Sequence, residues 1–350
     1  MGCAGYSARV TIAQASRPVP LSRVWSGERM IAEDLTGEDL GDVLELNSAA
    51  SAWWVLPRDD EYGAAELREV AHALDLDELA IKDLLADDRR AKFEAIGQAR
   101  LVITNAVSLD PARAEVTVHP VSIIATDRVL ICLVASNQAF QPAQLLLSKE
   151  SMLARGGVEA ALQLVIGAVI NTYESVVSWL ESSTDDLANI MFQERPLDKP
   201  EQLHAFKLRT ALSQVRRLTD PMRAVMTDLV DAPPAPVKGK TTRSNAANRR
   251  WTLLAEQHHR VANAADTLRE ALSSVFDTSL ALADLRMNQT MKKLSGWAAV
   301  IAVPTLVTSF VGMNVGFPLV GTGAGFWVYF VVMVAAAAIL YVVFRRRDWI

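Results

Sequence analysis

The sequence predicts an α+β cytoplasmic domain followed by long helices and a two-helix C-terminal transmembrane hairpin. Three observations carry this. From Leu294 to Phe344 there is no Asp, Glu, Lys, Arg or His, a run too long for one membrane span and sufficient for two with a loop. Runs of strand character are confined to the N-terminal part, and beyond residue 150 apolar residues recur at helical spacing. From Asn245 to Ser295 neither Pro nor Gly interrupts the chain.

The 350 residues allow two ordinary domains and a membrane anchor. Hydrophobic residues make up 51% of the chain and the formal net charge is −5. That balance argues against a nucleic-acid partner, which calls for a basic footprint. The two cysteines, Cys3 and Cys132, form neither a disulfide framework nor a CxxC site and fit a reducing compartment. Tyr6 stands where a myristoylation signal needs Ser or Thr. No apolar core of a signal peptide follows it. Residues 1–20, with Pro18 and Pro20, read as a disordered tail.

Residues 21–150 read as a mixed α/β domain. Trp53 to Leu56 forms a strand closed by Pro57, and charged helical stretches follow over 61–76 and 77–85. Three β-rich runs come next, over 101–107, 116–125 and 129–134, with a turn at Asp110-Pro111. Residues 151–244 are a helical hairpin region: one helix over 158–191, a second over 201–230, stopped by the Pro-rich run after Asp231. Residues 245–293 form a stalk helix that continues into the first span, about 100 Å in all at 1.5 Å per residue. Its apolar positions Leu254, Val261, Ala265, Leu268, Leu272, Val275 and Leu282 call for packing against copies of itself or against its neighbours.

Residues 294–350 hold the hairpin and a basic tail. The spans run from Leu294 to Val311 and from Phe326 to Phe344, with a Gly-rich loop over 312–325. Lys292-Lys293 before the first span and Arg345 to Arg347 after the second place both termini in the cytoplasm, because cationic flanks stay inside. Pro304 in mid-span needs its freed backbone partner satisfied by neighbouring helices or by the Thr305 and Thr308 hydroxyls. Asn288, Met291, Ser295, Ala298, Ala302, Thr305, Ser309 and Gly312 recur at alternating three- and four-residue spacing. This small, mildly polar face suits a pore lining, and it equally suits close helix packing.

Gly312-Met313-Asn314 stands at the outer end of the first span. The tripeptide, the two-span hairpin and the unbroken helix before it resemble the CorA family of divalent-cation transporters. Pro304-Thr305, the inner positions Asn288, Met291 and Leu294, the ending Arg345-Arg346-Arg347-Asp348-Trp349 and the segment Leu76 to Leu85 agree with the resemblance, which covers Trp53 to Trp349. It implies a funnel-shaped homopentamer in the inner (plasma) membrane, with the first span lining the pore. It implies a selectivity filter of Gly312, Met313 and Asn314, the Asn314 amide oxygens accepting hydrogen bonds from the water shell of a hydrated ion. Gly312 would let the backbone turn, Met313 would pack to hold it, and Met291 and Leu294 would form a hydrophobic gate. The transported ion that the resemblance implies is Mg²⁺, with Co²⁺ or Ni²⁺ as further cargo.

Two departures bear on the ion. The outer loop Val315 to Gly321 carries no acid, and Val311 replaces the aromatic residue usual before the tripeptide. That loop is closer to the zinc-transporting ZntB branch. Regulation by cytoplasmic Mg²⁺ would draw on Asp83, Asp87 and Asp88 opposite Glu256 or Asp277, groups that also fit a solvated charged face. Asp185 and Asp186 fit such a face as well. His258 and His259 are adjacent, so on a helix they project about 100° apart and make a poor metal pair. No nucleophile, base, phosphate loop or cofactor constellation appears, which argues against an enzyme. A membrane-anchored coiled-coil scaffold is the remaining alternative.

Overall fold

The computed structural model describes residues 21–58, 61–73, 78–85, 90–97, 99–135, 139–191, 193, 195–232, 245–313, 322–347 and 349–350. The reading of residues 1–20 as a disordered tail lies outside them. The elements in order are β1 (Leu21–Ser26), β2 (Arg29–Glu33), α1 (Gly37–Leu46), β3 (Ala50–Pro57), α2 (Glu61–Ala73), α3 (Glu78–Leu85), β4 (Lys92–Ile96), β5 (Ala99–Asp110), β6 (Glu115–Ala125), β7 (Val129–Val134), α4 (Pro142–Ser148), α5 (Glu150–Met191), α6 (Lys199–Asp231), α7 (Asn245–Val311) and α8 (Gly323–Arg346). The chain divides into two compact units. The first holds residues up to Thr184 together with Leu203–Ala271, and the second holds Asp185–Gln202 and Leu272–Ile350.

In the first unit seven strands form one sheet in the order β2-β1-β3-β7-β6-β5-β4. All neighbours are antiparallel except β3 and β7, which pair in parallel with Trp54 opposite Ile131. A parallel neighbour cannot be reached by a tight turn, so everything from α2 to β6 lies in the crossover. One face of the sheet builds a core with α1, α2 and α3 through Trp54, Leu56, Leu101, Ile103 and Ile131 against Leu40, Leu67 and Leu84. The alternation of the strands sends Arg100 and Thr104 of β5 to the opposite face. There Thr104 meets Met222 of α6, the Tyr173 hydroxyl of α5 donates to the Asn105 carbonyl, and Arg100 pairs with Glu159 of α5 at 2.7 Å. Helices α5, α6 and the first part of α7 thus cover this face.

Several expectations are refined. The helix expected from Val158 begins at Glu150 and breaks at Gly157, whose φ of 58° is a left-handed conformation that favours glycine. Pro221 lies inside α6. Gly323 to Gly325, expected in the loop, fold into α8, where Thr322 caps the helix by accepting from the Gly325 N–H. Strands β1, β2 and β4 carried no clear alternation; at the two sheet edges β2 is largely exposed and β4 is at most half-buried, so little forces a period-two pattern on them.

The apolar stalk face is occupied by the chain itself. Val261, Ala265 and Leu268 are buried in the first unit, where Arg216 and Arg223 of α6 both pair with Asp266 of α7. In the second unit Leu272 and Val275 are buried, and the Leu197 N–H donates to Ser279. Within the single chain this face packs against neighbouring elements.

Among the described residues three helices are long and apolar enough to cross a membrane: α5, α7 and α8. They differ in cover. The apolar window of α5 is 56% buried within the chain, that of α7 6% and that of α8 0%. The apolarity of α5 is therefore explained by the protein core, whereas that of α7 and α8 is uncompensated in the chain alone.

Candidate functional site

The outer part of α7 and helix α8 lie side by side and antiparallel. Trp297 meets Tyr341 with ring centroids 6.1 Å apart, while Val307, Thr308, Val311 and Gly312 line a cavity of about 430 Å³ with Phe326, Tyr329, Phe330 and Met333. This pairing gives α7 two faces. Val300, Val303, Val307 and Val311 are half-buried. Asn288, Met291, Leu294, Ser295, Ala298, Ala302, Thr305, Ser309 and Gly312 are all exposed. The stripe singled out by its spacing is thus one continuous uncovered face, and Ala298, Ala302, Thr305 and Ser309 line an open groove along it with Ile301 and Leu306.

Pro304 removes the N–H that would bond the Val300 carbonyl. The expected rescue by hydroxyls takes another form: Thr305 donates to the Ile301 carbonyl at 3.0 Å, and Thr308 donates to the Pro304 and Thr305 carbonyls, each at 3.0 Å. Those groups are i−4 and i−3 to their own threonines, so the hydroxyls cap their local turns rather than the carbonyl the proline orphans.

The helix ends at Val311. The Gly312 N–H still donates to the Thr308 carbonyl at 2.9 Å, and a Cβ there would stand 3.1 Å from that same oxygen. The glycine therefore permits a close approach of backbone to backbone at the helix end. Met313 is 54% exposed in the single chain. Asn314 lies outside the described residues.

Of the five expected regulatory carboxylates, only Glu256 and Asp277 have described side chains. Asp87 and Asp88 lie outside the described residues, as does the Asp83 side chain on α3. Glu256 and Asp277 are exposed on α7. Among the described residues no group of three His, Cys, Asp or Glu side chains could hold a metal. Asp185 and Asp186 are exposed, as a solvated face would be. His258 and His259 diverge: His258 is buried, while His259 is exposed and bonds Arg223 and Asn263 at 3.2 and 3.1 Å. Burial, then the positive charge of Arg223, pushes the His258 imidazole down to about 4.

One feature of this region had no sequence signal. Gly296 forms a notch on α7 in which the Ile350 side chain and the Trp349 carbonyl lie, so that a Cβ on Gly296 would come within 2.9 Å of Ile350. Small residues in spans are common, and the partner lies far along the chain.

Comparison with known proteins fits this architecture. A family model described as CorA-like Mg2+ transporter protein matches residues 50–346. The Cobalt/magnesium transport protein CorA of Methanocaldococcus jannaschii is 27% identical over 195 residues, 55% of this chain and 59% of that protein's length. The protein of the same name from Thermotoga maritima is 21% identical over 322 residues, 89% of this chain and 87% of its own. Among solved structures, the complete CorA magnesium transporter from Methanocaldococcus jannaschii superposes with a TM-score of 0.73 at 19% identity, covering 96% of this chain and all of that one. The ZntB cytoplasmic domain from Vibrio parahaemolyticus has a TM-score of 0.53 at 11% identity, covering 67% of this chain and 88% of its own. An α/β domain followed by long helices is the fold shared with these structures, and the matching family is one of membrane transporters, not an enzyme class. The chain belongs to the CorA family.

Proposed function

We propose that this chain is the subunit of a homopentameric divalent-cation channel of the inner membrane, carrying Mg²⁺, with Co²⁺ or Ni²⁺ as further cargo. The observation that carries the reading is the uncovered face of α7, small and mildly polar along its length, ending at Gly312-Met313 just before Asn314. In the assembly α7 lines the pore, α8 faces lipid, and the two form a transmembrane hairpin with both termini in the cytoplasm. No resident cofactor is needed.

The chemistry follows from the ion. Mg²⁺ sheds water reluctantly, so a mouth for it is best built of hydrogen-bond acceptors that hold the hydrated ion whole. A ring of Asn314 carbonyl oxygens does this without fixed charge. Lower down, Ser309 and Thr305 face the ion path, and Met291 and Leu294, 56% and 64% exposed in the single chain, form the apolar constriction that closes by dewetting. The membrane potential contributes roughly 2.3 kcal/mol per charge per 100 mV, so about 4.6 for a divalent ion. Regulation by cytoplasmic metal would draw on Asp83, Asp87 or Asp88 with Glu256 or Asp277 where neighbouring subunits meet.

A second reading, zinc transport of the ZntB type, is favoured by the acid-free loop Val315 to Gly321. Uptake of Mg²⁺, Co²⁺, Ni²⁺ and Zn²⁺ into liposomes holding the purified protein, under an imposed inside-negative potential, separates the two. Potential-driven Mg²⁺ uptake is expected. Uptake confined to Zn²⁺ moves the assignment to the second reading, and no uptake of any of the four rejects both in favour of a scaffold.

A further inference from the structure

The inner end of the α7–α8 pair gathers positive charge that no carboxylate among the described residues pairs with. The Ile350 side chain and Trp349 carbonyl sit at Gly296, and Trp349 stacks on Phe344 with ring centroids 5.5 Å apart and planes 12° apart. The Trp349 N–H also donates to the Phe344 carbonyl at 3.0 Å. These contacts bring the end of α8 against α7 at the level of Gly296. Lys292 and Lys293 precede Gly296 by four and three residues, which places both on its side of the helix, one turn further in. Arg345, Arg346 and Arg347 precede the Trp349-Ile350 pair. All five cations are exposed, and none is paired with a carboxylate among the described residues.

Helix dipoles account for only part of this. Arg345 and Arg346 lie in the last turn of α8, where a cation is favoured anyway. Lys292 and Lys293 stand in the middle of α7, far from either end, and gain nothing there from a dipole. What adjoins the cluster is an apolar surface: Trp297 is 49% exposed and Ile339 65%. Trp297 and Tyr341 pair at the same level, the kind of aromatic pair that lies at a bilayer interface. Charge that must be met by an anion, directly beside surface that must be met by hydrocarbon, describes a ligand with a phosphate head and acyl chains.

We infer that Lys292, Lys293, Arg345, Arg346 and Arg347, gathered around the Trp349-Ile350 contact on Gly296, form a binding site for an anionic phospholipid of the inner leaflet. The inference rests on the membrane placement proposed above. A lipid bound there touches both α7 and α8 next to Leu294, so lipid composition becomes an input to the pore helix.

The test is native mass spectrometry of the protein released from nanodiscs of equal phosphatidylglycerol and phosphatidylcholine. Preferential retention of phosphatidylglycerol is expected, at roughly fivefold for each basic side chain engaged. The preference falls in Lys292→Gln/Lys293→Gln and in Arg345→Gln/Arg346→Gln/Arg347→Gln, and it survives in Lys292→Arg/Lys293→Arg. High salt applied to the unaltered protein collapses it, a readout independent of any variant's folding. Equal retention of both lipids, a preference unmoved by the glutamine variants and by salt, or binding of inorganic phosphate with no lipid preference overturns the inference. Mg²⁺ uptake measured with the same preparations keeps the readings apart. Uptake without lipid preference sinks the lipid site alone, and lipid preference without uptake sinks the channel alone.

Discussion

Trp251 of α7 donates its indole N–H to the Glu159 carboxylate of α5 at 2.5 Å, and the other oxygen of that carboxylate holds Arg100 of β5 at 2.7 Å. One acidic side chain thus ties the sheet to two of the helices that cover it. The Arg100 and Glu159 side chains are only 5% and 18% exposed.

Removing Glu159 leaves the Arg100 guanidinium buried without that counter-charge. Breaking a buried pair from one side costs about 3–5 kcal/mol. Glu159→Ala is expected to lower the midpoint of thermal unfolding in detergent by many degrees, and Glu159→Gln, which keeps acceptor and shape but not charge, by less. Equal midpoints for the two variants would assign the whole loss to charge, and an unaltered midpoint in Glu159→Gln would assign it to packing.

Gly63 of α2 lies against the end of β3, and a Cβ there would stand 1.8 Å from the Pro57 carbonyl oxygen. The obstacle is backbone, so α2 itself must move. Overpacking of this kind costs roughly 1–3 kcal/mol or more. Gly63→Ala should reduce yield and thermal midpoint, while Gly97→Ala, where the added Cβ meets nothing and the cost is only that of a positive φ, should cost less. The ranking is read from melting curves of both proteins.

His258 gives the first unit an acid sensitivity. Its imidazole is held neutral, pushed from 6.5 down to about 4 by burial and by Arg223. The unfolded chain therefore binds the extra proton first, and stability present above pH 6.5 is lost progressively as the pH falls toward 4. Midpoints measured from pH 7.5 to 4 should decline through that window. The slope should flatten in His258→Gln; an unchanged slope would place the acid sensitivity in other groups.

The proposed filter predicts a contrast between two positions. Asn314→Ala should leave folding and assembly intact and abolish most Mg²⁺ flux, since it removes every side-chain oxygen of the tripeptide. Ser309→Ala, one turn lower, should reduce flux far less. Transport by both variants at matched oligomer yield decides it. Unaltered flux in Asn314→Ala would place selectivity elsewhere.

Assembly should draw on the uncovered face of α7. Leu280, Met287, Met291, Leu294 and Ile301 are exposed at spacings of three, four and seven residues. A pentamer is expected by mass measurement in mild detergent. Leu280→Glu/Met287→Glu should shift it toward smaller species, whereas a stable monomer or dimer of the unaltered protein would refute the pentamer.

Much of the architecture was legible in the sequence because it repeats locally. The central strands β3, β5, β6 and β7 are apolar runs buried along most or all of their length, and α6 and α7 carry a sustained apolar spacing. Absence of charge from Leu294 to Phe344 marked the spans, since in hydrocarbon every charge is costly. The Gly312-Met313-Asn314 tripeptide at the end of the first span pointed to the family that the comparison then established.

Tertiary structure alone decided what depends on residues far apart in the chain. It chose which of two apolar faces of α7 the chain spends on its own core: Val261, Ala265 and Leu268 are covered, while Met287, Met291 and Leu294 are left bare. It made the apolar stretch of α5 a core helix rather than a span. It set β3 beside β7 in parallel, placed Trp251 and Arg100 on one carboxylate, and fitted Ile350 to Gly296. The physical reason is that sequence periodicity reports which side of an element is apolar, whereas only folding determines whether protein, lipid or another subunit covers that side.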